Sequence, residues 1–352
     1  MFKNSVLEKD IEEIISNEKL FRAFDGSTVL ITGGTGFIGS MLLRAFITAN
    51  DRYKTRIKIV CHVRNMKKAA EFLGSLIERD DVEMIISESF EIDICCDYII
   101  HTACPTTSKF FVTSPVETID TSINSTKQLL ELARRKNIKN MVFLSSMEEY
   151  GIPFERDKIV VMTEDSCGII NPLVVRSCYP ESKRLCECYC ASYSSEYGVH
   201  VSIVRLAQTF GSGISLSDNR VFMQFARSAI GEKDIVLHTS GETMSNFCYV
   251  SDAIVGILTV LLKGKTSEAY NICNDGETRT VVDIAKLVAE KITGGRIKVV
   301  FDVPDSPLTY GYAPDVRMKL CSDKAKLLGW IPQVDMESAY KRLIAYIREE
   351  KC

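Results

Sequence analysis

The segment STVLITGGTGFIGSMLLRAFITAN, residues 27–50, limits the fold more than any other part of the chain. An apolar run leads straight into glycines and then into a helical pattern. Gly33, Gly36 and Gly39 fall in a GxxGxxG spacing. Glycine allows φ > 0 at a tight turn, lets backbone approach a pyrophosphate and lets the helix pack close to the strand. The helix N-terminus adds unpaired N–H groups and the positive end of its dipole. Glycine triplets are common in ordinary turns. One that follows a strand, opens a helix and precedes another strand within about 25 residues reads as a dinucleotide-binding turn. Its candidate cofactor contacts are Gly33, Thr35, Gly36, Phe37, Ile38 and Gly39.

The same alternation continues. RIKIVCHVRN, CDYIIHTAC, NMVFLSSMEEYG and HVSIVRLAQTFG read as strands, while SINSTKQLLELARRKNI and the stretch from Tyr179 read as helices. Continuous apolar strands between amphipathic helices predict a parallel sheet covered on both faces. The expected fold is α/β: a Rossmann-type doubly wound sheet over residues 27–210. A smaller, mixed α/β substrate lobe is expected over residues 211–352, with segments able to return to the first domain. Residues 1–26 read as one amphipathic helical extension. Ligands of such sheets bind beyond the C-terminal strand ends, here between the lobes.

Composition narrows the partners. The 352 residues are 46% apolar and 25% charged with a net charge of −3, which predicts a sizeable core and gives no cue for nucleic acid or an anionic membrane. No apolar run reaches the ~18–20 residues of a membrane span, and no signal-peptide pattern is present, so a cytoplasmic location is expected. The 13 cysteines, an odd number, read as reduced thiols used as small apolar residues. On a helix, Cys186, Cys188 and Cys190 would alternate by roughly 200° and could not converge on one metal, so no metal site is expected.

The second strand ends in HVRN. Arg64 stands where a carboxylate would take an NAD ribose hydroxyl, with Lys67 and Lys68 behind it. A guanidinium there suits a 2′-phosphate and favours NADP over NAD. Further on, RSCYPESKRLCE sets Tyr179 four residues before Lys183, on one helical face. A free phenol, with a pKa near ~10, is a poor base at neutral pH. An adjacent ammonium and an oxidised nicotinamide would favour the phenolate. Taken alone, such a pair is an ordinary surface pair.

In order along the chain, the residues resemble the extended short-chain dehydrogenase/reductases, specifically their nucleotide-sugar epimerases, dehydratases and decarboxylases. The resemblance covers residues 27–345. It rests on the glycine turn, HTAC at His101, SSMEEYG at Ser146, YxxxK at Tyr179, RLAQTFGSG at Arg205, EAYNICN at Asn271 and LLGWIP at Trp330. It implies a tightly held NAD(P)+, with His101 and Ala103 near it. A Ser146–Tyr179–Lys183 set would oxidise the C4 hydroxyl of a nucleotide-diphosphate sugar, within a homodimer paired through the YxxxK helix and the one before it. Glu148 occupies the position where dehydratases and decarboxylases carry a candidate base. Met147 stands where dehydratases place a proton donor, and the KR pair with D-x-R-V-x-x-x-F leans to the decarboxylases. Gln208, Arg220 and Arg317 are candidate substrate contacts. Ser245 replaces a common diphosphate-binding arginine, which Arg317 is the candidate to replace. A 4-epimerase, an NADPH-dependent sugar reductase and a non-enzymatic nucleotide-binding regulator remain alternatives.

Overall fold

The computed structural model describes residues 4–155, 158–303 and 316–351. Seven parallel strands form its main sheet: β1 Thr28–Thr32, β2 Lys58–Val63, β3 Val82–Ile86, β4 Tyr98–His101, β5 Asn140–Ser146, β6 Val201–Leu206 and β7 Ala269–Ile272. Their spatial order is β7-β6-β5-β4-β1-β2-β3. The chain winds outward from β1 to β3, then returns through β4 and winds the other way. The reversal lies between β1 and β4, whose ends are held level by the pairing of Thr32 with His101. Their C-terminal ends open the crevice that such sheets use for ligands.

Successive residues of a strand point to opposite faces, so a strand buried on both sides must be apolar throughout. Val29 and Ile31 enter one core, with Leu42, Phe46 and Ile257. Leu30 and Ile99 enter the other, with Leu129, Leu130, Cys186 and Cys190. The first core is covered by helices α1 Ser5–Ile15, α2 Phe37–Tyr53, α5 Val250–Lys263 and α6 Met336–Glu350. The second lies under α3 Pro115–Lys136 and α4 Cys178–Tyr197. Cys186 and Cys190 are buried on α4, while Cys188 between them is exposed.

Several expectations change in detail. The single N-terminal helix is two, α1 and a short Glu18–Arg22, because the Asn17 side chain caps the second by accepting from Leu20 N. Strand β3 adds to the expected strands; Glu83 interrupts its apolar run. HVSIVRLAQTFG is not one strand. It breaks at Ala207: β6 stays in the main sheet, and Gln208–Phe210 joins Met244–Tyr249 and Asn274–Thr280 in a second sheet. The chain thereby crosses from the main sheet to the second sheet within a few residues. Later, β7 completes the main sheet beside β6.

Candidate active site

The turn after β1 needs its glycines for specific reasons. Gly33 has φ +73°, and a Cβ there would lie 2.9 Å from Thr102 Oγ1 and 3.0 Å from Ala103 Cα. A Cβ on Gly39 would lie 2.3 Å from Gly33 O. Gly36 is the N-cap of α2, and no side chain caps that helix. The first-turn N–H groups near Phe37 and Ile38 are therefore left to a ligand, with Thr35 half-buried beside them. An uncapped helix start, reached through a turn with no room for a Cβ at Gly33 or Gly39, fits a pyrophosphate. Arg64, Lys67 and Lys68 lie exposed beyond β2.

His101 ends β4, next to the glycine turn. Its ring is buried, with Nδ1 2.8 Å from Thr32 Oγ1 and Nε2 3.2 Å from Ser125 Oγ and 3.3 Å from Thr126 Oγ1. Burial, with the Lys183 charge adding to it, pushes its pKa down to about 3, so the imidazole is neutral. The ring props the floor of the site from below. Ala103 N donates to Thr32 Oγ1 at 3.3 Å and fixes the same floor.

Ser146, Tyr179, Lys183 and Glu148 converge. β5 ends at Ser146, and α4 begins at Cys178 on the same side of the sheet. Tyr179 and Lys183 are buried, 7% and 3% exposed. Lys183 Nζ donates to Leu144 O at 2.7 Å and lies 5.7 Å from the Tyr179 ring centre. Burial holds the Tyr179 phenol up at about 12 even though the Lys183 charge and a hydrogen bond from Ser146 favour ionisation. Phe111, from the short helix Ser108–Thr113 after β4, stacks on the Tyr179 ring at 4.3 Å and 12°. It shields one face of the phenol from water.

Glu148 lies in the turn Met147–Tyr150, which Ser146 caps by accepting from Glu148 N at 3.2 Å. Its carboxylate is not free. Arg176 grips it with two hydrogen bonds, Nη1 to Oε2 at 2.8 Å and Nη2 to Oε1 at 3.3 Å. Met147 is buried in the core. Sequence reasoning missed Arg176 and Phe111. The signals were available: Arg176 lies three residues before Tyr179, and Phe111 lies in the segment that follows a sheet strand.

On the lobe side, Gln208 is half-buried and pairs in register with Phe247. Arg220 is held by Asp218 at 2.9 Å, and its guanidinium carbon lies 4.7 Å from the Phe222 ring centre. Arg317 pairs with Glu242 at 2.9 Å and bridges Met244. Ser245, the next residue, is in register with Arg279 on the antiparallel strand, so that guanidinium shares its face of the sheet.

A glycine turn opening the uncapped α2, in one chain with a Ser146–Tyr179–Lys183 cluster, is the arrangement of a dinucleotide-dependent enzyme. A model of the NAD-dependent epimerase/dehydratase family matches residues 29–273. UDP-glucuronic acid decarboxylase 6 of Arabidopsis thaliana is 32% identical over 334 residues, covering 92% of this chain and 88% of its own. UDP-glucuronic acid decarboxylase 1 of Xenopus tropicalis is 30% identical over 368 residues, covering 98% and 82%. Among solved structures, UDP-glucose 4-epimerase from Thermotoga maritima, with UDP-glucose, matches with a TM-score of 0.75 at 23% identity, covering 92% of this chain and 100% of its own. The dTDP-glucose 4,6-dehydratase from Streptomyces venezuelae, with NAD bound, gives 0.74 at 20%, covering 92% and 98%. These last two share the fold. The chain belongs to the NAD-dependent epimerase/dehydratase family and is an NAD-dependent enzyme. The preference for NADP read from Arg64 gains no support from this family. Among the described residues, no helix is long and apolar enough to cross a membrane.

Proposed function

We propose that the protein decarboxylates a nucleotide-linked uronic acid, oxidising the sugar at C4 first. The observation that carries this reading is the state of the residues after β5. Dehydration requires a base for the C5 proton and an acid for the departing hydroxyl. Here Glu148 is tied to Arg176 and Met147 is in the core. Decarboxylation of a 4-keto uronic acid asks for neither: the C5–C6 pair becomes a C4–C5 double bond as the carbonyl pair moves onto O4, carbon dioxide leaves, and the enolate then takes a proton at C5 and the hydride back at C4. The relatives named as UDP-glucuronic acid decarboxylases support the same choice.

NAD in the cradle supplies the acceptor for hydrogen from C4. The chain's own residues do the rest. Tyr179 takes the hydroxyl proton, Lys183 favours the phenolate, Ser146 orients the hydroxyl, and Phe111 keeps water from one side of the ring. We also infer a cytoplasmic homodimer through α3 and α4, where Ile119, Leu185 and Tyr197 stand exposed.

The test is to incubate the protein with NAD and a panel of UDP-, dTDP-, GDP- and CDP-linked sugars and uronic acids, then read the products by mass and NMR. A product lighter by carbon dioxide is expected from a uronic acid. Loss of water, a mere change of configuration, or net consumption of NADPH would overturn the reading. Tyr179→Phe is expected to lower turnover by at least about 10²-fold.

A further inference from the structure

We propose that Arg176 is the residue that recognises the carboxylate of the substrate, and that Glu148 occupies its place in the free enzyme. This deepens the decarboxylase reading and rests on it for the identity of the substrate. The two-pronged grip of Arg176 on Glu148 is the geometry with which a guanidinium binds any carboxylate. The pair is not sealed in the core: the two side chains are 31% and 30% exposed. It lies at the site, because the charges of both residues act on Tyr179 and Arg176 stands three positions before it. The guanidinium carbon is 5.8 Å from the centre of the Phe111 ring, and Phe111 stacks on Tyr179, so the cation is steered on one side by an aromatic edge of the site.

A sugar with a C6 carboxylate can exchange with Glu148 on Arg176, carboxylate for carboxylate, with no net change in paired charge. A neutral hexose cannot. With a neutral sugar the arginine remains on Glu148, and nothing compensates for separating them. The pair therefore acts as a charge filter. Once carbon dioxide has left, the guanidinium has lost its ligand and returns to Glu148, which favours release of the neutral product. The filter explains why a carboxylate near the phenol can be tied up at rest without being useless in turnover.

Binding separates this proposal from the reaction it serves. The affinities of the NAD-loaded enzyme for UDP-glucuronate and UDP-glucose are compared by calorimetry in three proteins: unmodified, Arg176→Gln and Glu148→Gln. The unmodified enzyme is expected to prefer the uronate at least about tenfold, the scale of a charge-assisted pair. In Arg176→Gln the ratio falls towards one. In Glu148→Gln it rises, because the internal competitor is gone, whereas a merely structural glutamate would leave the ratio unchanged or lower it. No preference in the unmodified enzyme, or a preference that survives Arg176→Gln, overturns the proposal. Carbon dioxide release is measured in parallel with saturating UDP-glucuronate. Preference lost in Arg176→Gln, with no carbon dioxide from the unmodified enzyme, supports the carboxylate site and overturns the decarboxylase reading alone.

Discussion

Tyr179 illustrates how much one buried residue depends on a single charge. Burial works against its phenolate and pushes the pKa up to about 12 even with Lys183 alongside. The ammonium lowers it, so the phenol would lie higher still without that charge. On the proposed mechanism the phenolate is the base, so activity rises with pH as Tyr179 ionises. Lys183→Met should therefore move the rising limb of the pH–rate profile to higher pH and lower turnover at neutral pH by about 10²–10⁴-fold. Removing the ammonium also leaves Leu144 O without its partner at a cost of about 1–3 kcal/mol. Circular dichroism on the variant separates loss of fold from loss of base. An unshifted limb in a folded Lys183→Met would remove Lys183 from the mechanism.

At the scale of elements, β5, α4 and β6 are tied together by a buried ionic knot behind the site. Arg205 on β6 donates to Glu187 on α4 at 2.7 Å and to Tyr150 OH at 3.0 Å. Glu149 Oε1 lies 3.0 Å from Arg205 Nε without receiving an aligned hydrogen bond, since that nitrogen points at Glu187. Burial, then the Glu187 charge, pushes the Glu149 carboxyl up to about 7 from an ordinary 4.5. An acid whose folded pKa is raised keeps its proton in the native state after the unfolded chain has lost it. Stability from this group is full below pH 4.5 and falls as pH rises towards 7, by about 3 kcal/mol in total. Glu149→Gln should flatten that fall. Urea unfolding of both proteins at about pH 5 and about pH 8 checks it. The unmodified protein must lose stability relative to Glu149→Gln at the higher pH, and equal changes in the two would refute the assignment. The knot also shows what a sequence conceals. The β1–α2 turn and the Tyr179–Lys183 spacing are legible because glycine tolerance and helical period are local properties. The grip of Arg176 on Glu148 joins residues 28 apart through a strand end and a loop, and no local pattern encodes it. The break at Ala207 is hidden for a related reason: both halves are good strands, and only the presence of two sheets divides them.

Across the whole molecule, one carboxylate holds the N-terminal and C-terminal helices to the second sheet. Asp10 on α1 is 0% exposed. Ser212 Oγ and Tyr249 OH each donate to it at 2.6 Å, and Arg342 Nη1 donates to its other oxygen at 2.9 Å. It thus joins the N-terminal helix, the turn after Gln208–Phe210, the end of Met244–Tyr249 and the C-terminal helix α6. The residues around it, Ile11, Ile14, Val250 and Leu343, are fully buried, so α1 is part of the core rather than an appendage. Removing one member of a buried ion pair strands the other, at a cost of about 3–5 kcal/mol, whereas replacing both with apolar groups is often far milder. Asp10→Ala should therefore lose most of that amount in urea unfolding, and Asp10→Ala with Arg342→Met should lose less than the single variant. Because Ser212 lies between Gln208 and Arg220, the proposed substrate contacts, loosening it should weaken sugar nucleotide more than NAD. The KM for the sugar substrate is expected to rise in Asp10→Ala by more than the Kd for NAD. If the double variant were less stable than Asp10→Ala, Arg342 would be held by Glu13 rather than by Asp10. The clamp would then lie on the surface of α1, not through it.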